Sequence, residues 1–353
     1  MKAVEEPVVV VVPGDLHLTE RGLDNFEAGH RVVDAVNTLI RPDFVQFIGD
    51  NVQDATTGQF ELFDEIRNRL EVPHFALIGD HDIKDDPAAS QFRLRIGDPF
   101  YATRLRGFRF LRLNTQEFRP TGISGEQVAW LRNELDRARV QGERVIIFQH
   151  NYPYQIWEEF AGPGIDDWRG LVQTHRVEAI ICGHTHYWQV ANDGRNALIA
   201  VRSIGDPEGG SAGYGVFYFH GDDFAATYRS IDDQGPLVLI THPRERLLAT
   251  SARHIVSGPD KLIARVWSTA AVEGVRYRIN DSPWTGLESW GEGHWQSRIA
   301  GDRLSKGEHT LEVVARAVDG SEGLDRIHFM VDRTGRYTAV PEVRPSVSAT
   351  QFC

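Results

Sequence analysis

Cysteine is scarce in this chain: Cys182 and Cys353 are the only two among 353 residues. Cys182 lies in an apolar strand-like run and Cys353 is the last residue, which argues against a disulfide framework and for a reducing compartment such as the cytoplasm. Long apolar runs are also lacking. The longest, Val8–Val12, is far too short to cross a bilayer, so no membrane span is expected. Met1–Pro7 carries one lysine and two glutamates and leads into no extended apolar segment, so a secretory signal is not expected either. No block of Lys or Arg occurs, and the net charge is −12. Such a chain repels nucleic-acid polymers. A small anionic substrate would need a local source of positive charge, which bound metal ions can supply.

Hydrophobic residues make up 41% of the chain, ample for a core and spread over a length that is large for one domain. To about Pro236, strand-like and helix-like segments alternate. Val8–Val12, Phe44–Ile48, Phe75–Ile78, Val145–Phe148 and Ala179–Cys182 read as buried strands. Leu23–Ile40, Phe60–Leu70 and a segment through Val140 read as helices, the last opened by a capping box of Ser124 and Gln127. After Gly183 the helical patterns stop, and Leu198–Val201, Gly215–His220 and Ala225–Ser230 look like a meander. The expected fold is α/β, with two mixed β-sheets packed as a sandwich flanked by helices, spanning residues 1–236. Beyond Gln234-Gly235-Pro236, alternation in Leu262/Ala264/Val266, Val275/Tyr277/Ile279, Leu311/Val313/Ala315 and Ile327/Phe329/Val331 predicts an all-β sandwich of immunoglobulin size over 237–333. Residues 334–353 read as a loosely attached tail.

In the first domain nearly every strand ends in a possible metal ligand. The strands lead in turn to Asp15-Leu16-His17, Gly49-Asp50-Asn51, Gly79-Asp80-His81-Asp82, His150 and Gly183-His184-Thr185-His186. Sites in open α/β sheets gather at the carboxyl ends of strands. Each motif alone is weak, since an isolated Asp-x-His is usually a turn. Five in this order, each after a strand, point to one mouth. Carboxylates mixed with imidazoles suit Mn, Fe, Zn, Ni or Co, and the ligand supply is enough for two ions, the usual phosphoester-cleaving clamp.

These segments resemble the signature of the calcineurin-like metallophosphoesterases, whose pattern runs D-x-H, G-D-x-x-D, G-N-H-D/E, H and G-H-x-H. The resemblance covers roughly residues 8 to 232 and is nearest to the branch with class III cyclic-nucleotide phosphodiesterases. Purple acid phosphatases are less similar: they lack the histidine at the place of His17 and use a Tyr where Gln53 stands. The resemblance implies that Asp15, His17, Asp50 and His186 hold one metal and that Asp50, Asp80, His150 and His184 hold the second, with Asp50 bridging. It further implies in-line attack of a bridging hydroxide on a phosphoester, either a small diester or a small phosphorylated metabolite, with His81 stabilising the transition state or protonating the leaving oxygen.

Two departures stand out. The family has Asn where this chain has Asp80, which adds a negative charge to the second site. The carboxylate expected three residues after Asp50 is replaced by Gln53, so Asp54, Asp82 or Gln53 would have to orient His81. Asn51 and Tyr152 are candidate substrate contacts, with Tyr154 and Trp157 beside the latter; the alternative is a structural turn and a loop packed by its aromatics. His30, His74, His175, His220, His242 and Trp188 read as packing or surface residues. Gly205–Gly215 lacks the order and the lysine of a phosphate-binding loop. Two other functions fit parts of the chain: a catalytically weak relative acting as a scaffold through its sandwich, or a sandwich that stacks Trp284, Trp290 and Trp295 on sugars.

Overall fold

The computed structural model describes residues 6–154 and 160–343. The first part alternates β1 (Val8–Pro13), α1 (Asp24–Ala35, continued as a π-helical turn over Val36–Ile40), β2 (Phe44–Phe47), α2 (Thr57–Arg67), β3 (His74–Ala76) and α3 (Ser90–Arg95). There follow β4 (Tyr101–Leu105), β5 (Phe108–Arg112), α4 (Gly125–Gln141), β6 (Arg144–Phe148), α5 (Ile165–Thr174), β7 (Val177–Cys182), β8 (Gln189–Asn192), β9 (Ala197–Ala200), β10 (Gly213–His220) and β11 (Asp223–Ser230). Two sheets result, ordered β11-β10-β1-β2-β3 and β4-β5-β6-β7-β9-β8.

The valines of β1 show how the layers are built. Val8, Val10 and Val12 enter the core between the sheets, with Phe110, Ile146, Phe148, Ile181 and Phe217. Val11 enters the opposite core, under Phe26, Val32 and Val33 of α1 and Phe60 and Phe63 of α2. A strand buried on both faces needs β-branched residues throughout. On the far side, Leu131 and Leu135 of α4 and Trp168 and Leu171 of α5 cover the six-stranded sheet. The order is helix, sheet, sheet, helix.

The second part is all β: β12 (Leu237–His242), β13 (Pro259–Trp267), β14 (Val272–Ile279), β15 (Thr285–Gly286), β16 (Glu288–Gly291), β17 (His294–Ala300), β18 (Gly307–Ala317) and β19 (Glu322–Val331). They form two four-stranded sheets, β12-β13-β17-β16 and β15-β14-β18-β19, around Val238, Leu262, Ala264, Val313 and Phe329. Strand β12 is two-faced. Val238 and Ile240 join this core, while Leu237 and Leu239 join the core under α1.

Several expectations need correction. The predicted meander is split: β9 pairs with β7 and β8, whereas β10 and β11 extend the sheet of β1. The hairpin of β4 and β5 was not anticipated. The capping box is only half made. Ser124 Oγ accepts from Gln127 N at 3.2 Å, but the Gln127 amide turns to Asn114 O and Glu117, and Glu117 takes Ser124 N. The start of the tail is tethered: Glu342 exchanges both backbone hydrogen bonds with Asn192 on the edge strand β8, and its carboxylate lies 2.6 Å from Arg246. Residues 344–353 lie outside the described residues.

Candidate metal centre

Five loops at one end of the sheets carry the site. The main chain ties them together: Leu16 N and His17 N both donate to Asp50 O, Gly183 N donates to His150 O, and Ile204 N and Gly205 N both donate to Asp15 O. His17, Asp50, His184 and His186 all have positive φ, between 48° and 67°. Non-glycine residues adopt this region rarely and at some cost, and such strain concentrates at functional sites. Here it turns four side chains inward over very short loops. Two glycines permit the approach. A Cβ at Gly79 would overlap the Asp50 carboxylate, and one at Gly183 would overlap that of Asp15.

The seven predicted ligands come together as two clusters: Asp15, His17 and His186 in one, and Asp50, Asp80, His150 and His184 in the other. In the first, His17 Nε2 and His186 Nε2 are 3.2 Å apart, and Asp15 Oδ2 is 3.5 Å from the latter. In the second, His150 Nε2 is 3.2 Å from both Asp50 Oδ2 and Asp80 Oδ1, and His184 Nδ1 is 3.1 Å from Asp80 Oδ1. Asp50 Oδ2 faces both clusters, since it also lies 3.8 Å from His17 Nε2. Its other oxygen accepts from His81 N at 2.9 Å.

This arrangement fits metal ions. Ligand atoms held about 2.0–2.1 Å from a tetrahedral ion are about 3.3 Å from each other, close to the spacings found here. Imidazole nitrogens also face one another in each cluster, as expected where a cation satisfies both lone pairs. Asp15 is fully buried and its Oδ1 has no hydrogen-bond partner. His150 donates through Nδ1 to Ile48 O at 3.0 Å, which turns Nε2 toward the carboxylates.

The electrostatics reflect crowded carboxylates. Burial opposes ionisation of Asp80, but hydrogen bonds from His150 and His184 hold its carboxyl well below the usual range. Burial also opposes protonation of His150, yet Asp50 and Asp80 push its pKa well above the ordinary value. Burial lowers that of His17, against the pull of Asp50 and Asp15. Asp82 is pushed up to about 8 by burial and by Asp50. Asp82 is a positioning residue. It accepts from Gly79 N, Asn51 N, Val52 N and the Asn51 amide at 2.9–3.2 Å, joining the loop after β2 to the loop after β3.

His81 stands beside the metal clusters, its ring centroid 4.6 Å from that of His17. Its Nδ1 is 2.8 Å from the main-chain carbonyl of Gln53. Of the three candidates for orienting His81, Gln53 therefore does so, through its backbone. Asp54 is engaged with Lys84 and Gln59, and Asp82 with backbone amides.

The two candidate substrate contacts are both buried, Asn51 beside Asp50 in the loop after β2 and Tyr152 in a core away from the clusters. Asn51 is 1% exposed, and its amide nitrogen donates to Leu77 O and Asp82. Tyr152 is fully buried in the core under α4 and α5. Each is held by the packing that the sequence offered as the alternative. Trp157 lies outside the described residues. A recess of about 580 Å³ opens instead over His17, His81 and His186, with Gln53, Asp24 and Asp206 in its wall. Asp24 and Asp206 were missed, because neither stands in a motif or at the end of a strand. The tryptophans do not converge: Trp284 lies under Arg276 and Arg278, Trp290 meets His294, and Trp295 packs against the sandwich core.

The sequence profile described as calcineurin-like phosphoesterase matches residues 8–188. A probable glycerophosphodiester phosphodiesterase, GpdQ, of Arcobacter nitrofigilis is 25% identical over 205 residues, covering 51% of this chain and 72% of that protein. Mouse (Mus musculus) tartrate-resistant acid phosphatase type 5 is 26% identical over 222 residues, covering 52% of this chain and 65% of its own length, just under two thirds. A dimetal phosphatase from Danio rerio has the same fold, with a TM-score of 0.54 at 15% identity over 65% of this chain and 98% of that one. The matched segment carries all seven predicted ligands, from Asp15 to His186, and on this footing the chain belongs to the calcineurin-like phosphoesterase family.

Proposed function

We propose that the protein is a two-metal phosphodiesterase acting on a small organic phosphodiester. The observation that carries this reading is the convergence of seven Asp and His side chains from five loops into two clusters that share Asp50. Asp15, His17, Asp50 and His186 would hold one ion, and Asp50, Asp80, His150 and His184 the other. When bound, the pair would supply Lewis-acid polarisation and a nucleophile at neutral pH.

The chain's own groups do the rest. The buried carboxylates and imidazoles keep the ligand atoms in place without reorganisation. His81, tied at Nδ1 to Gln53 O, presents its other ring nitrogen to the recess. With Nδ1–H donating to that carbonyl, a proton on Nε2 makes the ring an imidazolium, and passing it to the leaving oxygen returns the neutral ring. A diester is favoured over a monoester because Asp80 adds a negative charge beside the phosphate position. The name of the Arcobacter relative points the same way.

We propose in addition that residues 237–333 form an immunoglobulin-like module, supported by their two sheets and a core of their own, that docks on the first domain through Leu237 and Leu239 of β12. The free buried Cys182 accords with a reducing compartment. The test is hydrolysis of bis-p-nitrophenyl phosphate with Mn(II), with and without chelator. Turnover that needs the metal is expected. Absence of turnover with every transition metal tried would favour the scaffold alternative.

A further inference from the structure

We infer that a second recess, where the β-sandwich joins the first part of the chain, binds a small oxyanion, a phosphate or carboxylate group, between Arg229 and the Tyr214 hydroxyl. The recess has a volume of about 260 Å³. It opens between the second half of α1, the start of β10, the end of β11, the linker 233–235 and Thr269 of the second part. It shares no wall residue with the recess over the metal clusters, so its role does not depend on the phosphoesterase reading.

Two buried groups in its wall lack a partner of the kind they need. Tyr214 and Arg229 stand directly opposite each other on β10 and β11, so both side chains rise from one face of the sheet. They are only 1% and 6% exposed. Tyr214 Oη has no hydrogen-bond partner. Arg229 stands near it without closing a bond of normal geometry: burial pushes the Tyr214 pKa up to about 12, against the pull of Arg229. A donor bond from Arg229 would still leave the phenol proton without an acceptor. Arg229 itself donates through Nη2 to Asp233 O at 3.0 Å and to Gly235 O at 2.8 Å. These are neutral carbonyls, and no carboxylate among the described residues pairs with the guanidinium.

A buried cation without a counter-charge is costly. Arg112 is also buried without a carboxylate, but the rings of Phe75 and Tyr101 face it at 4.1 and 5.0 Å. Arg229 opens on a recess instead. The acids around that recess are turned to other partners. Asp34 binds Arg69 at 2.8 Å, Asp232 binds Arg31 at 3.1 Å, and Asp233 Oδ2 accepts from Ser230 N at 3.1 Å. A water molecule would satisfy the phenol and leave the charge. An oxyanion answers both needs: one oxygen accepts from Tyr214 Oη and another from the Arg229 nitrogens that the linker leaves unused. Because Arg229 already grips the linker, an anion held there ties linker, α1 and sandwich together.

The test is calorimetric titration of the chelator-treated full-length protein with inorganic phosphate and, separately, with acetate. Chelation removes any bound ions that would themselves take up phosphate. Binding of at least one of the two anions is expected, about three- to tenfold weaker in Tyr214→Phe and about tenfold or more weaker in Arg229→Gln. The arm that responds to the substitutions tells a phosphate ligand from a carboxylate. Loss of the buried Arg229 can itself disturb the fold, so Tyr214→Phe, which removes one oxygen, carries a second readout. Without either anion its Tm is expected to match or exceed that of the wild type, since an unpaired buried hydroxyl is gone. With the binding anion added, the wild type becomes the more stable of the two. Absence of binding by both anions, or binding equally strong in Tyr214→Phe, would overturn the inference. So would a wild type that is already the more stable without an anion and does not respond to one, the sign of a hydroxyl satisfied by water.

Discussion

At the scale of single residues, position 80 is where the second cluster takes a carboxylate in place of a neutral amide of similar shape. Asp80 Oδ1 sits 3.1–3.2 Å from a nitrogen of His184 and of His150. An amide would offer the same oxygen without the charge. Asp80→Asn is therefore expected to weaken metal retention at the second cluster and to raise monoester turnover relative to diester turnover, measured by elemental analysis and a two-substrate assay. Unchanged values in both would remove the role given to the charge. His81→Ala is expected to lower kcat by about 10²–10⁴ with metal content intact. Asp54→Asn should leave kcat near the wild-type value, since Asp54 bonds Lys84 and Gln59 rather than His81; a loss comparable to that of His81→Ala would contradict the geometry.

At the scale of elements, the junction between β11, β12 and β13 is held by an ionic cluster. His242 Nδ1 lies 2.7 Å from Asp223 Oδ1 and its Nε2 lies 3.2 Å from Asp260, while Lys261 is 3.3 Å from Asp223. Burial opposes protonation of His242, but the two carboxylates raise its pKa from 6.5 to about 8. A raised histidine pKa contributes stability below the unfolded value and loses it as pH rises through the folded one. The contribution, about 2 kcal/mol, is full below about pH 6.5 and gone above about pH 8. Denaturation of wild type and His242→Gln across this window should show the difference between them shrinking with rising pH; a constant difference would contradict it. How much of the architecture was legible follows from similar local physics. The five ligand loops could be read because each apolar strand stops at Asp or His. Strand β5 could not, because Phe108-Arg109-Phe110-Leu111-Arg112 carries two arginines that read as surface, yet both are buried. Arg109 is paired with Glu134 and Glu143. Arg112 bonds Gln46 at 2.6 Å and lies over the rings of Phe75 and Tyr101. The orienting partner of His81 was equally hidden, since a main-chain carbonyl leaves no mark in a sequence.

At the scale of the whole molecule, the site is a place where the folded chain concentrates carboxylates and strained backbone, so ions bound there should stabilise the fold. Binding at a hundredfold excess over Kd contributes about 2.7 kcal/mol per site. For a chain of this size, that corresponds to a rise in Tm of several degrees. Scanning calorimetry with chelator and with added Mn(II) should show it, and an identical Tm in both would contradict a preformed site. The most direct test of the central claim is a titration of chelator-treated protein with Mn(II), counting bound ions per chain while following bis-p-nitrophenyl phosphate hydrolysis. Turnover that rises with occupancy and levels off at about two ions per chain is predicted; a chain that binds no metal, or that hydrolyses the diester equally well without it, would contradict the account.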